Sequence, residues 1–276
     1  MKRKASDLIL IIAFLAGLSL LLYPGFSDYW NQFHQSRAIA GYAETVAAMD
    51  DGEYERLWGA AEDYNRRLAE SAAEYALPDE LLEEYAQRLN VGGDGVMGYV
   101  EIPEIECSLP IYHGTDDAVL QSAVGHIEWS SLPVGGESSH CVISGHRGLP
   151  SAKLFTNLDK LVEGDLFFLQ VLDETLSYEV DKIRIVEPQE LSDLQIEAGK
   201  DYCTLVTCTP YGVNTHRLLV RGHRVDNEVL AQTVRVTSDA IQVEPVLVAT
   251  ALAVPVLLIL MIWLIVHDSR KQHRSR

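Results

Sequence analysis

Two long uncharged runs at opposite ends of this 276-residue chain restrict its fold more than any other feature. Residues 8–23 carry no charge and follow Lys2, Arg3 and Lys4; residues 246–266 carry none either, are interrupted by Pro255, and precede Arg270, Lys271, Arg274 and Arg276. A helix that crosses a bilayer needs about 20 apolar residues. The second run has that length, and the first reaches it when Ala5 and Ser6 extend it. A core helix of a soluble protein would show a polar face over such a distance, and neither run has one. A cleaved signal peptide is the rival reading of the first run, because Gly25, Phe26 and Ser27 offer small residues at a cleavage-like spacing. Both basic clusters lie outermost, so the positive-inside rule places both termini in the cytoplasm and the intervening chain outside the cell membrane.

Charge supports the same partition. The chain carries 22 basic and 40 acidic residues, a formal charge of -18. Without the two terminal clusters and the acidic residues beside them, Asp7 and Asp268, the external portion keeps 15 basic and 38 acidic residues, a formal charge of -23. A body this acidic repels phosphate backbones, which excludes nucleic acid as a partner bound through a general basic surface. The mean hydropathy of +0.02 averages two apolar ends and a polar middle and describes neither.

The expected organisation has five parts. Residues 1–24 form a cytoplasmic tail and first span, 25–90 a helical external segment, 91–226 a catalytic domain, 227–245 a linker, and 246–276 the second span with its basic tail. In the helical segment Leu57, Ala60, Ala61, Tyr64 and Leu68 recur at helical spacing, as in a spacer between membrane and body. Asp79 can cap a further helix carrying Leu81, Leu82 and Tyr85. Past the glycine-rich stretch at 91–95, short β-rich runs follow at 98–102, 109–112, 140–144, 165–172, 177–186, 202–207 and 217–221. That many short runs separated by turns predict a mainly β sandwich or barrel with short helices, one of them an insertion at 154–161.

Four cysteines lie in the external portion: Cys107, Cys141, Cys203 and Cys208. Two disulfides are one reading of them. Cys107, Cys141 and Cys203, however, sit inside apolar runs, where a free thiol packs as a small hydrophobe. Cys208 ends a run and meets the turn residues Thr209, Pro210, Tyr211 and Gly212, which exposes it as a nucleophile requires. A thiol with an ordinary pKa near 8.5 needs a basic partner. His146 leaves a strand into a glycine-bearing turn, and Arg217 opens the run after Cys208 at a hairpin spacing. Spacing alone leaves His216, His223 and Arg221 equally eligible. His113, His126, His140 and His146 with Cys203 and Cys208 could supply metal ligands, but no pair has a usual zinc spacing, so no metal is expected.

Longer motifs narrow the choice. The run Thr204-Leu205-Val206-Thr207-Cys208-Thr209-Pro210-Tyr211-Gly212, continuing to Arg217 and Gly222, resembles the signature of the sortases, in particular the pilus-assembling class C. Ser144-Gly145-His146-Arg147-Gly148-Leu149-Pro150 resembles it as well, as do Gly98-Tyr99-Val100-Glu101-Ile102-Pro103 and Leu109-Pro110-Ile111-Tyr112-His113-Gly114. The resemblance runs from about residue 91 to residue 224. It implies a closed sortase-like β-barrel, preceded by the helical segment and flanked by two transmembrane helices. It also implies a cysteine transpeptidase with Cys208 as nucleophile, His146 as general acid and base, and Arg217 as the substrate-orienting or oxyanion-stabilising group. Thr207 would help position substrate. The implied partners are pilin or surface-protein substrates bearing LPxTG-like sorting signals, and no cofactor is implied. One departure is visible. Class C sortases commonly carry a lid with an Asp-Pro-aromatic motif, whereas this chain has Leu77-Pro78-Asp79-Glu80, so residues 70–90 are expected to pack as helix beside the barrel and leave Cys208 open.

Overall fold

The computed structural model describes residues 2–71, 75–77, 79–227 and 255. The expected second span at 246–266 lies outside the described residues, Pro255 excepted. Among the described residues, those up to Tyr29 together with Pro255 belong to one unit, and those from Trp30 to Asn227 to another.

Helix α1 (Lys2–Ala47) contains the first apolar run. Among the described residues it holds the one stretch long and apolar enough to cross a membrane, with a window of mean hydropathy 1.6 and no buried residues. Ile9, Ile12, Leu15, Leu20 and Tyr23 are exposed along it, as a lipid-facing helix requires. Phe26, Tyr29, Trp30 and Phe33 follow, all exposed and spaced to share one helix face, the pattern of an interfacial aromatic belt. Farther along, Asn31 and Gln35 donate to the carbonyls of Ser151 and Ser122 at 2.8 and 2.7 Å, and buried Tyr42 donates to the Met97 carbonyl. This end of α1 is therefore fastened to the body that follows.

Helix α2 (Asp51–Glu70) starts where the Asp50 carboxylate accepts from the Glu53 amide at 2.8 Å, with Asp51 and Glu53 in its first turn. It buries Ala61, Tyr64, Asn65 and Leu68, a single stripe at helical spacing. Asn65 is the polar member of that stripe, and both ends of its amide are satisfied: it donates to the Leu132 carbonyl at 3.0 Å and accepts from the Leu132 amide at 2.7 Å. Helix α3 (Asp79–Tyr85) adds Leu81 and Tyr85 to the same core. The Tyr85 hydroxyl receives the Gly114 amide and lies 2.9 Å from His126 Nδ1. Arg67 on α2 binds Glu84 on α3 with two hydrogen bonds, and these with Arg88 hold the Glu84 carboxyl down at about 2. The helices share the barrel's own core cluster, so they do more than space the barrel from the membrane.

Eight strands form the barrel: β1 (Val96–Ile102), β2 (Cys107–His113), β3 (Val124–His126), β4 (Ser139–Ser144), β5 (Leu166–Val171), β6 (Glu174–Val186), β7 (Asp201–Thr209) and β8 (His216–Val225). They close in the order β1-β2-β3-β4-β7-β8-β6-β5, with β2·β3 and β4·β7 parallel and the rest antiparallel. A mainly β closed barrel was the expected class. Alternation explains the inside: Phe167, Leu169 and Val171 point in from β5, and Leu205 with Cys203 from β7. Two local expectations differ from the structure. Strand β3 has only three residues, too short to show a period in sequence, and is recruited by its neighbours. The helix expected at 154–161 is a single 3-10 turn at Leu158–Lys160, because Leu154 takes a φ of +41°, which a right-handed helix does not allow.

Candidate active site

The strand ladder brings Cys208, His146 and Arg217 to one end of the barrel. Cys208 pairs with Arg217 in the β7·β8 ladder, so their Cα atoms are about 5 Å apart. Ser144 at the end of β4 pairs with Val206, and the Gly145 amide donates to the Val206 carbonyl at 3.0 Å. His146 thus leaves β4 beside the residues that lead to Cys208. Its carbonyl accepts from the Phe155 amide at 3.1 Å, which anchors the loop.

Pleating decides which face these side chains take. Cys203 and Leu205 point into the core, as do Cys141 and Ile143 on β4 and Leu218 and Val220 on β8. Cys208 and Arg217 belong to the opposite alternation and look outward, and both are half-buried. Val142, Val206 and Leu219 share that outer face. With Val186 and Leu194 they form a second apolar cluster, edged by Ile127, Trp129 and Leu191. The outer wall next to Cys208 is therefore backed by a second, packed apolar cluster whose members are themselves buried. On the segment before α3, Tyr75 meets Trp129 edge-on at 5.4 Å, so an aromatic ring from this region does reach the edge of that cluster although the Asp-Pro-aromatic motif is missing.

The β7–β8 turn is tight. The Pro210 carbonyl accepts from the Val213 and Asn214 amides at 3.1 and 2.9 Å. Arg217 rests its Nη1 on the carbonyls of His216 and Asn214 at 3.1 and 3.4 Å. Thr207 turns inward, is buried, and donates to the Gly145 carbonyl at 2.7 Å. It acts on the site through the backbone next to His146, on the other side of the strand from Cys208.

The other residues that spacing left eligible are engaged elsewhere. Arg221 pairs with Asp181 and Glu197 and lies 4.0 Å over the Tyr202 ring. His223 pairs with Tyr202 at the far end of the ladder. His216 is one step past Cys208, opposite Thr209, and its ring contacts the Thr215 hydroxyl. His113, His126 and His140 use their ring nitrogens on backbone and side-chain groups inside the fold. All four cysteines are free thiols. Burial pushes Cys107 up to about 12 and holds Cys203 well above the ordinary thiol value, which leaves both protonated and inert.

One neighbour of the trio carried no role in the sequence reading. Arg147 follows His146, yet its side chain is only 9% exposed. Arginine is rarely so buried without partners, and the sequence signal for it was its place directly after the histidine.

Comparison with known proteins agrees with this geometry. Residues 100–225 match the family model described as the sortase domain. The crystal structure of sortase C1 from Streptococcus agalactiae is similar at 52% identity and a TM-score of 0.67, over 69% of this chain and 99% of that one. Streptococcus pneumoniae sortase C follows at 47% and 0.63, over 69% and 97%. Clostridium perfringens sortase C, determined with a C-terminal cell wall sorting motif, is similar at 45% and 0.61, over 69% and 99%. The chain spans less than two thirds of most of the curated relatives it matches: sortase D of Bacillus subtilis is 34% identical over 131 residues, 46% of this chain and 63% of that protein. With a closed barrel of the same architecture and near-complete coverage of those structures, the chain belongs to the sortase family, in its class C.

Proposed function

We propose that this protein is a membrane-held cysteine transpeptidase that cleaves an LPxTG-like sorting signal and joins the new carboxyl end to a lysine amine of a pilin subunit. The observation that carries this reading is that the strand ladders lead Cys208, His146 and Arg217 to one end of the barrel. The external body would face the cell surface, held by the spans at residues 8–23 and 246–266. The pneumococcal structure bears on pilin substrate specificity, and the clostridial one was determined with a sorting motif; both support the substrate class.

The chemistry follows from residue types. Cys208 sulfur attacks the Thr-Gly carbonyl carbon, forming a C–S bond and a tetrahedral oxyanion. Arg217 offers N–H donors in a fixed fork, of which Nη1 already rests on turn carbonyls; the others serve the oxyanion or an adjacent substrate carbonyl. Collapse breaks the C–N bond while His146 gives a proton to the departing glycine amine. The lysine amine then attacks the thioester, loses a proton to His146, and expels the Cys208 thiolate as the isopeptide forms. Covalent catalysis thus divides one difficult amide exchange into two acyl transfers. Thr207 contributes by fixing Gly145, and with it the base of the His146 loop.

The test uses the full-length protein in detergent with a purified pilin carrying an LPxTG-like signal. Covalent ladders resistant to boiling in SDS are expected from the wild type and none from Cys208→Ala. His146→Ala and Arg217→Ala should each lose roughly 100-fold or more in rate. Free carboxylate alone in the presence of excess lysine-bearing subunit would point to a hydrolase, and ladders from Cys208→Ala would refute the assignment of the nucleophile.

A further inference from the structure

The Arg147 guanidinium joins three separate pieces of chain around the site. Its Nη2 pairs with Asp159 on the 3-10 turn at Leu158–Lys160, and its Nη1 donates to the Thr209 hydroxyl at 3.4 Å, one residue past Cys208. Its Cζ also lies 6.0 Å from the centre of the Tyr211 ring in the turn that follows. That ring lies flush on the backbone after Arg147: a Cβ on Gly148 would sit 2.9 Å from Tyr211 Cε2, and Gly148 has a φ of +75°, where a side chain would be strained. The Gly148 amide also donates to Thr156 Oγ1 at 3.1 Å. The loop that carries His146 and the turn that follows Cys208 are therefore held to each other through Arg147 and Tyr211. Arg147 Nε is buried and has no partner among the described residues.

We propose that Arg147 is a positioning residue that fixes the distance between His146 and Cys208, and thereby how fully the imidazole draws the proton from the thiol. A planar fork suits this role, because one end can meet a carboxylate while another meets a hydroxyl; a lysine ammonium on a flexible stem cannot hold both at once. Asp159 is 45% exposed, so the ion pair by itself is weak, and the constraint resides in the geometry of the three contacts together. This inference rests on the reading of Cys208 and His146 as a catalytic pair.

The experiment measures alkylation of Cys208 by iodoacetamide against pH in the full-length protein, followed by mass spectrometry of the Cys208 peptide, for wild type, Arg147→Ala, Arg147→Lys, Asp159→Asn and His146→Ala. It needs no substrate. His146→Ala is expected to move the profile to that of a free thiol, near pH 8.5. Arg147→Ala should move it in the same direction and slow alkylation at pH 7 by roughly 3–10-fold, since the thiolate fraction follows the neighbouring base. Arg147→Lys should recover only part of this, and Asp159→Asn should show a smaller shift of the same sign. In sorting-peptide cleavage, Arg147→Ala should lower kcat by about 10-fold with KM within about twofold, as misplacement of a catalytic group does. A wild-type profile for both Arg147→Ala and Asp159→Asn, with His146→Ala shifted, overturns the positioning role. An unshifted His146→Ala overturns the catalytic pair itself. Should Arg147→Ala fail to fold, Asp159→Asn and Arg147→Lys decide the matter, and a loss of thermal stability with an unchanged profile also counts against the proposal.

Discussion

Gly145 offers the sharpest test of how closely the site depends on the core beneath it. A methyl group added there would sit 2.7 Å from Phe155 Cδ2 and 2.8 Å from Val124 Cγ1. Carbon atoms prefer separations of about 3.5–4.0 Å, so roughly 0.7–1 Å of movement is required. Neither neighbour yields easily, because Phe155 and Val124 are fully buried in the barrel core. The other way out is for the strand end to move, and there it is held by the Gly145 amide on Val206 and the Thr207 hydroxyl on the Gly145 carbonyl. Gly145→Ala is therefore expected to destabilise the fold by about 1–3 kcal/mol, the usual cost of overpacking. It should also lower peptide cleavage by up to about 100-fold, since His146 is the next residue and a misplacement on the order of 1 Å has that effect. Urea unfolding and steady-state cleavage of a sorting-signal peptide measure the two quantities. Gly145→Ala/Phe155→Leu removes the ring that the methyl group strikes, and it should recover part of the activity while remaining less stable than wild type. Wild-type activity and stability in Gly145→Ala, or a double variant no more active than the single one, would refute the reasoning.

Other expectations follow from the same contacts. Asn65→Ala strands the buried amide and carbonyl of Leu132 and should cost about 2–4 kcal/mol in urea unfolding, whereas Asn65→Asp should restore at most the bond to the amide. His140 is buried neutral: Nδ1 donates to the Gln195 carbonyl at 2.8 Å, Nε2 accepts from the Thr204 hydroxyl at 2.7 Å, and burial lowers its pKa. The unfolded chain then binds the extra proton first, so stability is full above about pH 6.5 and falls as pH drops through and below it, by at most about 1.4 kcal/mol per pH unit for this group. Comparing urea midpoints of wild type and His140→Gln between pH 7.5 and 5 checks this, and a wild-type slope no steeper than the variant's would contradict it. Trp30 belongs to the exposed aromatic face of α1 and should be quenched in vesicles by lipids brominated near the headgroup more than by those brominated at the chain end. The reverse order would place that face elsewhere in the bilayer.

Several features were legible in sequence because they depend on neighbours along the chain. The apolar run at 8–23 gives α1 its exposed hydrophobic length, and the stripe through Ala61, Tyr64 and Leu68 is the buried face of α2. The Cys208 to Arg217 spacing fixes a hairpin, and the ladder pairs those two residues. Strand β3 was not legible, since three residues acquire strand geometry only from β2 and β4. The 3-10 turn at Leu158–Lys160 has the apolar spacing of a helix in sequence, but the left-handed backbone of Leu154, visible only in the structure, interrupts it.

What the sequence determined by itself is therefore local and compositional: an acidic body, an apolar N-terminal helix, strand-forming alternation, and a thiol, an imidazole and a guanidinium each next to a turn. Tertiary structure decided which of the candidates share one face. His146 and Cys208 are 62 residues apart and come to the same end of the barrel because β4 and β7, distant in the chain, pair in parallel with Ser144 opposite Val206. A one-residue slip of that register would send Cys208 into the core and Thr207 outward, since successive side chains in a strand point to opposite faces. The inward packing of Cys141, Ile143, Cys203 and Leu205 holds the register, and so the core, more than the motif, selects the face on which Cys208 emerges. Arg147 shows the same division: its position after His146 is written in the sequence, but its grip on Asp159, Thr209 and Tyr211 exists only once three distant segments have been packed together.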